Sequence, residues 1–345
     1  MRARIDVAWV RARRRRLVRR AAGAAAAVLM AGAAVPVAVE SWQHEAPLTD
    51  LTTGVLTTPA EPGPVNVLLI GGDNRQRNPN PGDRRADTVM IIHVPADRSR
   101  AYLVSLPRDG EVELPGGVRG KLNETLRIGG PELTEKIVTG LTGVEFDATV
   151  TIDFRALRAV TKAVGGVEVC LPQSFTSVHN GRRYPRGCQR LGADDVTPVL
   201  QARYGLENGS YDRDRNGQRF LRALFAKLTT DGTFRSPIRM NELLMAGRDG
   251  IEIDGEPATL LRAIPRGSTE VVGVSEPGFQ SIGNGRERIY PRVGPELYAA
   301  IQDDDLAAWT GGQPHLPPEV RTDGASGAAG PAMARRRRRE MRASG

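Results

Sequence analysis

Four polar stretches in this 345-residue chain have the composition of a phosphate-handling site: GGDNR (Gly71–Arg75), RRADT (Arg84–Thr88), SLPRD (Ser105–Asp109) and ARYGLENGSYDRDRNGQRFLRALFAKL (Ala202–Leu228). Each of the first three sets an aspartate and an arginine beside an apolar run. Aspartates so placed suit a hard cation such as Mg2+, which takes a few carboxylates together with substrate phosphates. Arginines suit the phosphates themselves, because the planar guanidinium meets two oxygens at once. Any one of these stretches also reads as a turn closed by an ion pair. The fourth raises a sharper question. Leu221, Leu224, Phe225 and Leu228 recur at helical spacing, and Asp212 or Asp214 can cap the start. Arg213 and Arg215 then sit beside an end that already carries positive partial charge. Either the two aspartates neutralise them in solvent, or an anion is held there by the arginines and the helix N-terminus together.

The elements that must position these stretches follow from periodicity. Val65–Ile70, Thr88–Val94 and Ala101–Leu106 read as strands, the last two joined by a hairpin-like turn at PADRSR. A helix is expected over Pro131–Leu141, a strand over Ala148–Asp153, a helix over Phe154–Val164 and a strand over Val167–Leu171. Residues 193–203 look helical but contain Pro198. Interleaved strands and helices indicate an α/β domain with polar loops at strand ends. That domain is expected over 65–230, with a smaller α/β extension over 231–310 and a Gly/Pro/Ala-rich disordered basic tail over 311–345.

Charge is concentrated at the ends. Residues 1–20 carry nine arginines and one aspartate, and 335–345 six arginines and one glutamate. The termini therefore hold thirteen net positive charges against +8 for the whole chain, leaving −5 for 21–334. A body of that sign argues against a nucleic-acid partner. The basic segment 1–20 is followed by Ala21–Val39, nineteen residues without a charge. This reads as a single transmembrane anchor with the arginines on the cytoplasmic side; a cleaved signal peptide is the alternative. Residues 40–64 are then a linker, and everything beyond is extracellular. Cys170 and Cys188, both in the exported part, read as a disulfide, with two buried free thiols as the alternative.

In order and spacing the motifs NVLLIGGDNR, RADTVMIIHV, LVSLPRD, KLNETLRIGGP, VGGVEVCLP, GCQRL and YDRDRNGQRFL resemble the LytR-CpsA-Psr family of membrane-anchored glycopolymer ligases, over roughly residues 65–228. The resemblance implies an α-β-α layered domain with a central mixed sheet and an apolar polyprenyl-binding pocket. It also implies a phosphotransferase that moves a glycopolymer from a polyprenyl-pyrophosphate carrier to peptidoglycan through a phosphodiester, using Mg2+. Carried over by position, Asp73 and Asp87 match the magnesium-linked or catalytic aspartates, and Arg108 a catalytic arginine. Arg85, Arg108, Gln201, Arg203, Arg213, Arg215 and Gln218 match the pyrophosphate-binding set. Lys121 and Asn123 take the family's "KIN" position. The chain departs from the pattern at Gln201, where the family has arginine, and at Asn216 and Gly217 in place of larger side chains. A glutamine donates to phosphate without charge, at a cost of about 1–2 kcal/mol. The departures keep a second function open, a catalytically weak polyprenyl-phosphate-binding protein; a regulator of envelope gene expression is a third.

Overall fold

The computed structural model describes residues 63–72, 85–233, 236–255, 270–275, 279–289 and 293–312. The expected anchor (21–39), the basic segment 1–20, the tail beyond 312 and Asp73 lie outside them. No described helix is long and apolar enough to cross a membrane.

Three strands open the fold: β1 (Val65–Gly72), β2 (Ala86–Val94) and β3 (Arg100–Leu106), each antiparallel to the next. A short hairpin follows, β4 (Glu111–Leu114) and β5 (Val118–Lys121), which the apolar pattern does not announce. The helix α1 spans Thr125–Thr142. It bends at Gly130, whose φ of 74° favours glycine, and resumes at Pro131, the expected first residue. Then come β6 (Ala148–Asp153) and α2 (Phe154–Ala163), the latter capped by the Asp153 carboxylate, which accepts from the Ala156 amide at 2.7 Å.

The strand β7 (Val167–Leu171) does not join the main sheet. It pairs antiparallel with β10 (Gly187–Leu191), beyond the two-residue strands β8 (Phe175–Thr176) and β9 (Arg183–Tyr184). Cys170 lies opposite Cys188 in that ribbon, and the two form the expected disulfide. The helix α3 (Ala193–Leu200) forms with Pro198 inside it, and α4 (Ser210–Thr230) packs on β7 and β3. The remainder is α5 (Pro237–Gly247), β11 (Ile251–Gly255), β12 (Glu270–Ser275), β13 (Phe279–Gly283), β14 (Arg286–Ile289), α6 (Val293–Gln302) and α7 (Leu306–Gly312).

The central sheet is mixed, with strand order β11-β6-β1-β2-β3-β12; β1 runs parallel to β6, and β3 to β12. Alternation along β1 supplies both faces. Leu68 and Ile70 share a core with α1, α6 and α7 through Leu126, Val138, Leu297, Ile301 and Leu306. Val67 and Leu69 meet Met90, Leu103 and Val150, packed against α4 at Leu221. This is the expected layered arrangement. One expectation needs correction: residue 230 is no structural boundary. The strands β11 and β12 of the presumed extension are the two edges of the main sheet, because β3 and β6 would otherwise leave backbone groups unpaired.

Candidate functional site

The end of β1, the start of β2 and the end of β3 lie at one end of the sheet, since Gly72 pairs with Ala86 and Val89 with Leu106. Gly71 lets β1 close on β2 there: a Cβ would come within 2.9 Å of Thr88 Cβ. Asp87 projects from the second position of β2. Pro107 ends β3, and the turn Pro107–Gly110 is closed by the Gly110 amide donating to Pro107 O at 3.0 Å. The turn is tied to the next segment by Leu122 N donating to Gly110 O and Asn123 N to Arg108 O, each at 2.9 Å. Arg108 and Asp109 are thereby fixed at the strand end.

Their side chains form two compensated groups. Arg108 pairs with Asp87 Oδ1, and Gln201 Nε2 donates to Asp87 Oδ2 at 3.1 Å. Asp109 accepts from Lys121 Nζ at 3.0 Å and Asn123 Nδ2 at 3.4 Å. Arg108 Nε stands 3.7 Å from Asp109 Oδ2, beyond hydrogen-bond reach, and is buried with no acceptor. Burial, and then the nearby Arg213, hold the Arg108 guanidinium below the ordinary arginine value, against the pull of Asp87 and Asp109; Arg203 adds to the effect. Arg203 itself is exposed on the rim, its guanidinium 5.5 Å from the Tyr204 ring.

The helix α4 supplies the rest, and it begins earlier than expected. Gly209, with φ 50° and ψ −110°, takes the N-cap position. Neither Asp212 nor Asp214 is the cap residue. Asp212, in the first turn, reaches back to the Asn208 amide at 2.9 Å. Arg213 and Arg215 therefore lie in the second turn, past the unpaired amides, and they part company. Arg213 Nε and Nη2 donate to Asp214 Oδ1 at 3.0 and 2.6 Å, on the side of Asp87 and Asp109. Burial opposes the Arg213 charge, but Asp214, with Asp87 and Asp109, holds its proton above the usual arginine value. Arg215 Nη1 donates to Asp212 Oδ1 at 2.7 Å, in a group completed by Gln173 Nε2 and Asn208. Burial alone would raise the Asp212 carboxyl; the Asn208 amide, Gln173 and Arg215 bring it below the usual range. The aspartates do neutralise the arginines, but in the interior: Arg213 is 3% exposed and Arg215 8%.

Of the sequence-derived set, the fold thus brings together Asp87, Arg108, Lys121, Asn123, Gln201 and Arg213, with Arg203 on the rim. Arg85 is exposed just ahead of β2. Two residues depart from the expectation. Arg215 faces its own buried acid group. Gln218 turns into the sheet, where Nε2 donates to Leu103 O, Val274 O and Ser105 Oγ at 2.7–3.0 Å. Its amide nitrogen is spent stitching β3 to β12, beside Gly273, where a Cβ would lie 2.5 Å from Gln218 Oε1.

Residues 37–269 match the LytR_cpsA_psr family. The chain belongs to the LytR-CpsA-Psr family. Among curated relatives it is 30% identical over 223 residues to a probable cell wall biosynthesis protein, LcpB, of Corynebacterium glutamicum, covering 61% of this chain and 53% of LcpB. It is 28% identical over 192 residues to the polyisoprenyl-teichoic acid–peptidoglycan teichoic acid transferase TagU of Enterococcus faecalis, covering 55% of this chain and 61% of TagU. The chain thus spans about half the length of LcpB and three-fifths of TagU. Protein gbs0355 of Streptococcus agalactiae has the same fold at 17% identity, with a TM-score of 0.62 over 70% of this chain and 88% of that one.

Four residues outside the family's matched positions complete the site. Asp109 and Asp214 were visible beside the arginines they accompany. Tyr211 opens the motif YDRDRNGQRFL, whereas Glu287 carries no signal, because only the fold brings β14 to the Pro107–Gly110 turn, where both line a cleft with Arg108, Asp109 and Asp214. Among the described residues no three histidine, cysteine, aspartate or glutamate side chains are arranged to hold a metal ion. Asp87 receives one donor on each carboxylate oxygen, Arg108 on Oδ1 and Gln201 on Oδ2, which leaves a lone pair on each for a cation.

Proposed function

We propose that this chain transfers a glycopolymer from a polyprenyl-pyrophosphate carrier to peptidoglycan, forming a phosphodiester. The observation that carries the reading is the convergence of Arg108, Arg213 and Arg203. Burial and mutual repulsion disfavour the Arg108 charge, and one of its N–H groups lacks an acceptor. A pyrophosphate would relieve both. The names of LcpB and TagU, which speak of cell wall biosynthesis and of transfer to peptidoglycan, support this choice of substrates.

In the reaction, an acceptor hydroxyl oxygen attacks the phosphorus bearing the polymer. The new P–O bond forms as the P–O–P bridge breaks, and polyprenyl phosphate leaves. The arginines hold the phosphate oxygens in line and offset the charge that builds on them. The hydroxyl proton passes to a carboxylate of the site. Magnesium belongs to the proposal through Asp73 and Asp87, where it would neutralise phosphate charge; the described residues by themselves do not form its site. A membrane anchor over 21–39 would hold the domain outside the cell, next to a lipid-borne substrate.

Gln201 favours a second reading, a carrier-lipid-binding protein with weak turnover. It stands where the family has an arginine and donates to Asp87, so it brings the phosphates no charge. Mass spectrometry of lipid co-purified with the full chain tests the shared premise. Polyprenyl phosphate or pyrophosphate species are expected, and a preparation free of them that also fails to bind such lipids on addition would discard both readings.

A further inference from the structure

The C-terminal hairpin delivers a carboxylate into the site. Glu287, on β14, is locked against the catalytic turn: its amide donates to Asp109 O at 3.1 Å, and it bridges in parallel to Gly110. The flanking Arg286 and Arg288 reach Glu111 of β4 at 3.0 and 3.6 Å, which clamps the hairpin in register. Glu287 Oε2 accepts a hydrogen bond from Tyr211 OH, on α4, at 2.9 Å. Among the described residues no lysine or arginine nitrogen lies within ion-pair distance of it, whereas Asp87, Asp109 and Asp214 each have a cation partner.

The groups around Glu287 can be counted. From the turn come Arg108 and Asp109, from the end of β5 Lys121, and from α4 Tyr211, Asp214 and, one step further, Arg213. With Asp87 included, four carboxylates face three cations, and Arg203 stands exposed outside. With Arg203 on the rim the empty site is balanced, four against four. A pyrophosphate diester adds two more negative charges. The one acid without a salt-bridge partner is where a proton relieves the repulsion at least cost.

Resting on the pyrophosphate reading above, we propose that Glu287 is a positioning residue of the anion site, neutral when pyrophosphate is bound, so that substrate binding takes up a proton there. As an acid, Glu287 no longer repels Asp109, Asp214 or the incoming phosphates, and the hairpin stays seated beside the loaded site. Burial first, and then Asp109 and Asp214, already push its carboxyl above the usual glutamate value, although the Tyr211 hydrogen bond and Lys121 pull the other way. The extension thereby does more than complete the sheet: it sets the charge of the anion site.

The test is the affinity of the full chain for farnesyl-pyrophosphoryl-N-acetylglucosamine, a diester whose own phosphates do not titrate near neutrality, measured from pH 5 to 9. Wild type should bind progressively more weakly as pH rises above the Glu287 pKa, by up to tenfold per pH unit. Glu287→Gln should keep the tight low-pH affinity and show a flatter profile. Calorimetry of wild type in buffers of different ionisation heat reads the same proton directly, and so decides the matter even should the variant fold poorly. Parallel profiles for the two proteins, or no proton uptake by wild type, overturn the role of Glu287 while leaving pyrophosphate binding intact. A wild type that does not bind the diester at any pH overturns the pyrophosphate reading, and this inference with it.

Discussion

Replacing Arg213 and Arg215 by lysine separates their roles, because each substitution keeps the buried charge and removes the fork. Arg213 makes two N–H contacts to Asp214, and Arg215 one to Asp212. A hydrogen bond between charged groups contributes about 1.5–3 kcal/mol, and lysine replaces it imperfectly. Both empty variants should therefore lose stability of that order, a fall in melting temperature of roughly 3–12 °C at about 2–4 °C per kcal/mol. Alanine would be harsher, at about 3–5 kcal/mol, since it strands a buried carboxylate; a solvent-exposed pair would cost less than about 1 kcal/mol. Ligand response then distinguishes the two sites. Only Arg213 faces Arg108 and Asp87, so Arg213→Lys should weaken binding of a polyprenyl-pyrophosphate diester by about tenfold to a hundredfold, from the same hydrogen-bond magnitude. Arg215→Lys should bind within about twofold of wild type. The assay is titration calorimetry, with thermal melting of each empty protein as control. Equal loss of affinity in both variants, or wild-type affinity in Arg213→Lys, would refute the division of labour.

Other outcomes are expected from the same structure. Gly217 is inside α4 with open space where a Cβ would stand, so Gly217→Ala should raise stability by about 0.5–1 kcal/mol, read by chemical denaturation. Reducing Cys170–Cys188, which closes a separation of 18 residues, should cost about 3 kcal/mol; intact-mass analysis after alkylation should find neither thiol free before reduction. The raised carboxyl of Glu287 stabilises the fold fully below its unfolded pKa, and that contribution is lost as pH rises through the folded pKa. Glu287→Gln should therefore gain in melting temperature relative to wild type as pH is raised from 4 to 9. Asp212, held low, acts in the opposite sense: its contribution is present above the unfolded pKa and lost as pH falls through the folded one, so Asp212→Asn should flatten the acid side of the same profile.

The sheet-forming runs were legible because β1, β2, β3 and β6 are buried on both faces, and such strands read as continuous apolar segments. The strands β4 and β5 are short, four residues each, and only Val112 and Leu114 of the hairpin enter the core, which is too little for an apolar pattern. The polar stretches announced Asp87, Arg108 and Arg213 because strand ends and a helix turn carry them side by side. What they could not announce was direction. Arg213 and Arg215 are two residues apart and so point about 200° apart on a helix, one into the site and one away from it. Gln218 looked like a phosphate donor until β12, fifty-six residues further along, supplied a carbonyl for it. Glu287 was out of reach for the same reason: its role exists only because β12 and the hairpin after it return to the sheet edge.

The most direct test of the central claim is a single-turnover reaction of the full chain with magnesium, a 32P-labelled polyprenyl-pyrophosphate-linked glycopolymer and peptidoglycan fragments. If the chain is a transferase, the label is divided: polyprenyl monophosphate is released, and the polymer's phosphate becomes a phosphodiester on peptidoglycan, with both products lost in Arg108→Lys. Bound lipid recovered intact, with no label on peptidoglycan, would contradict transfer and leave the chain a carrier-lipid-binding protein.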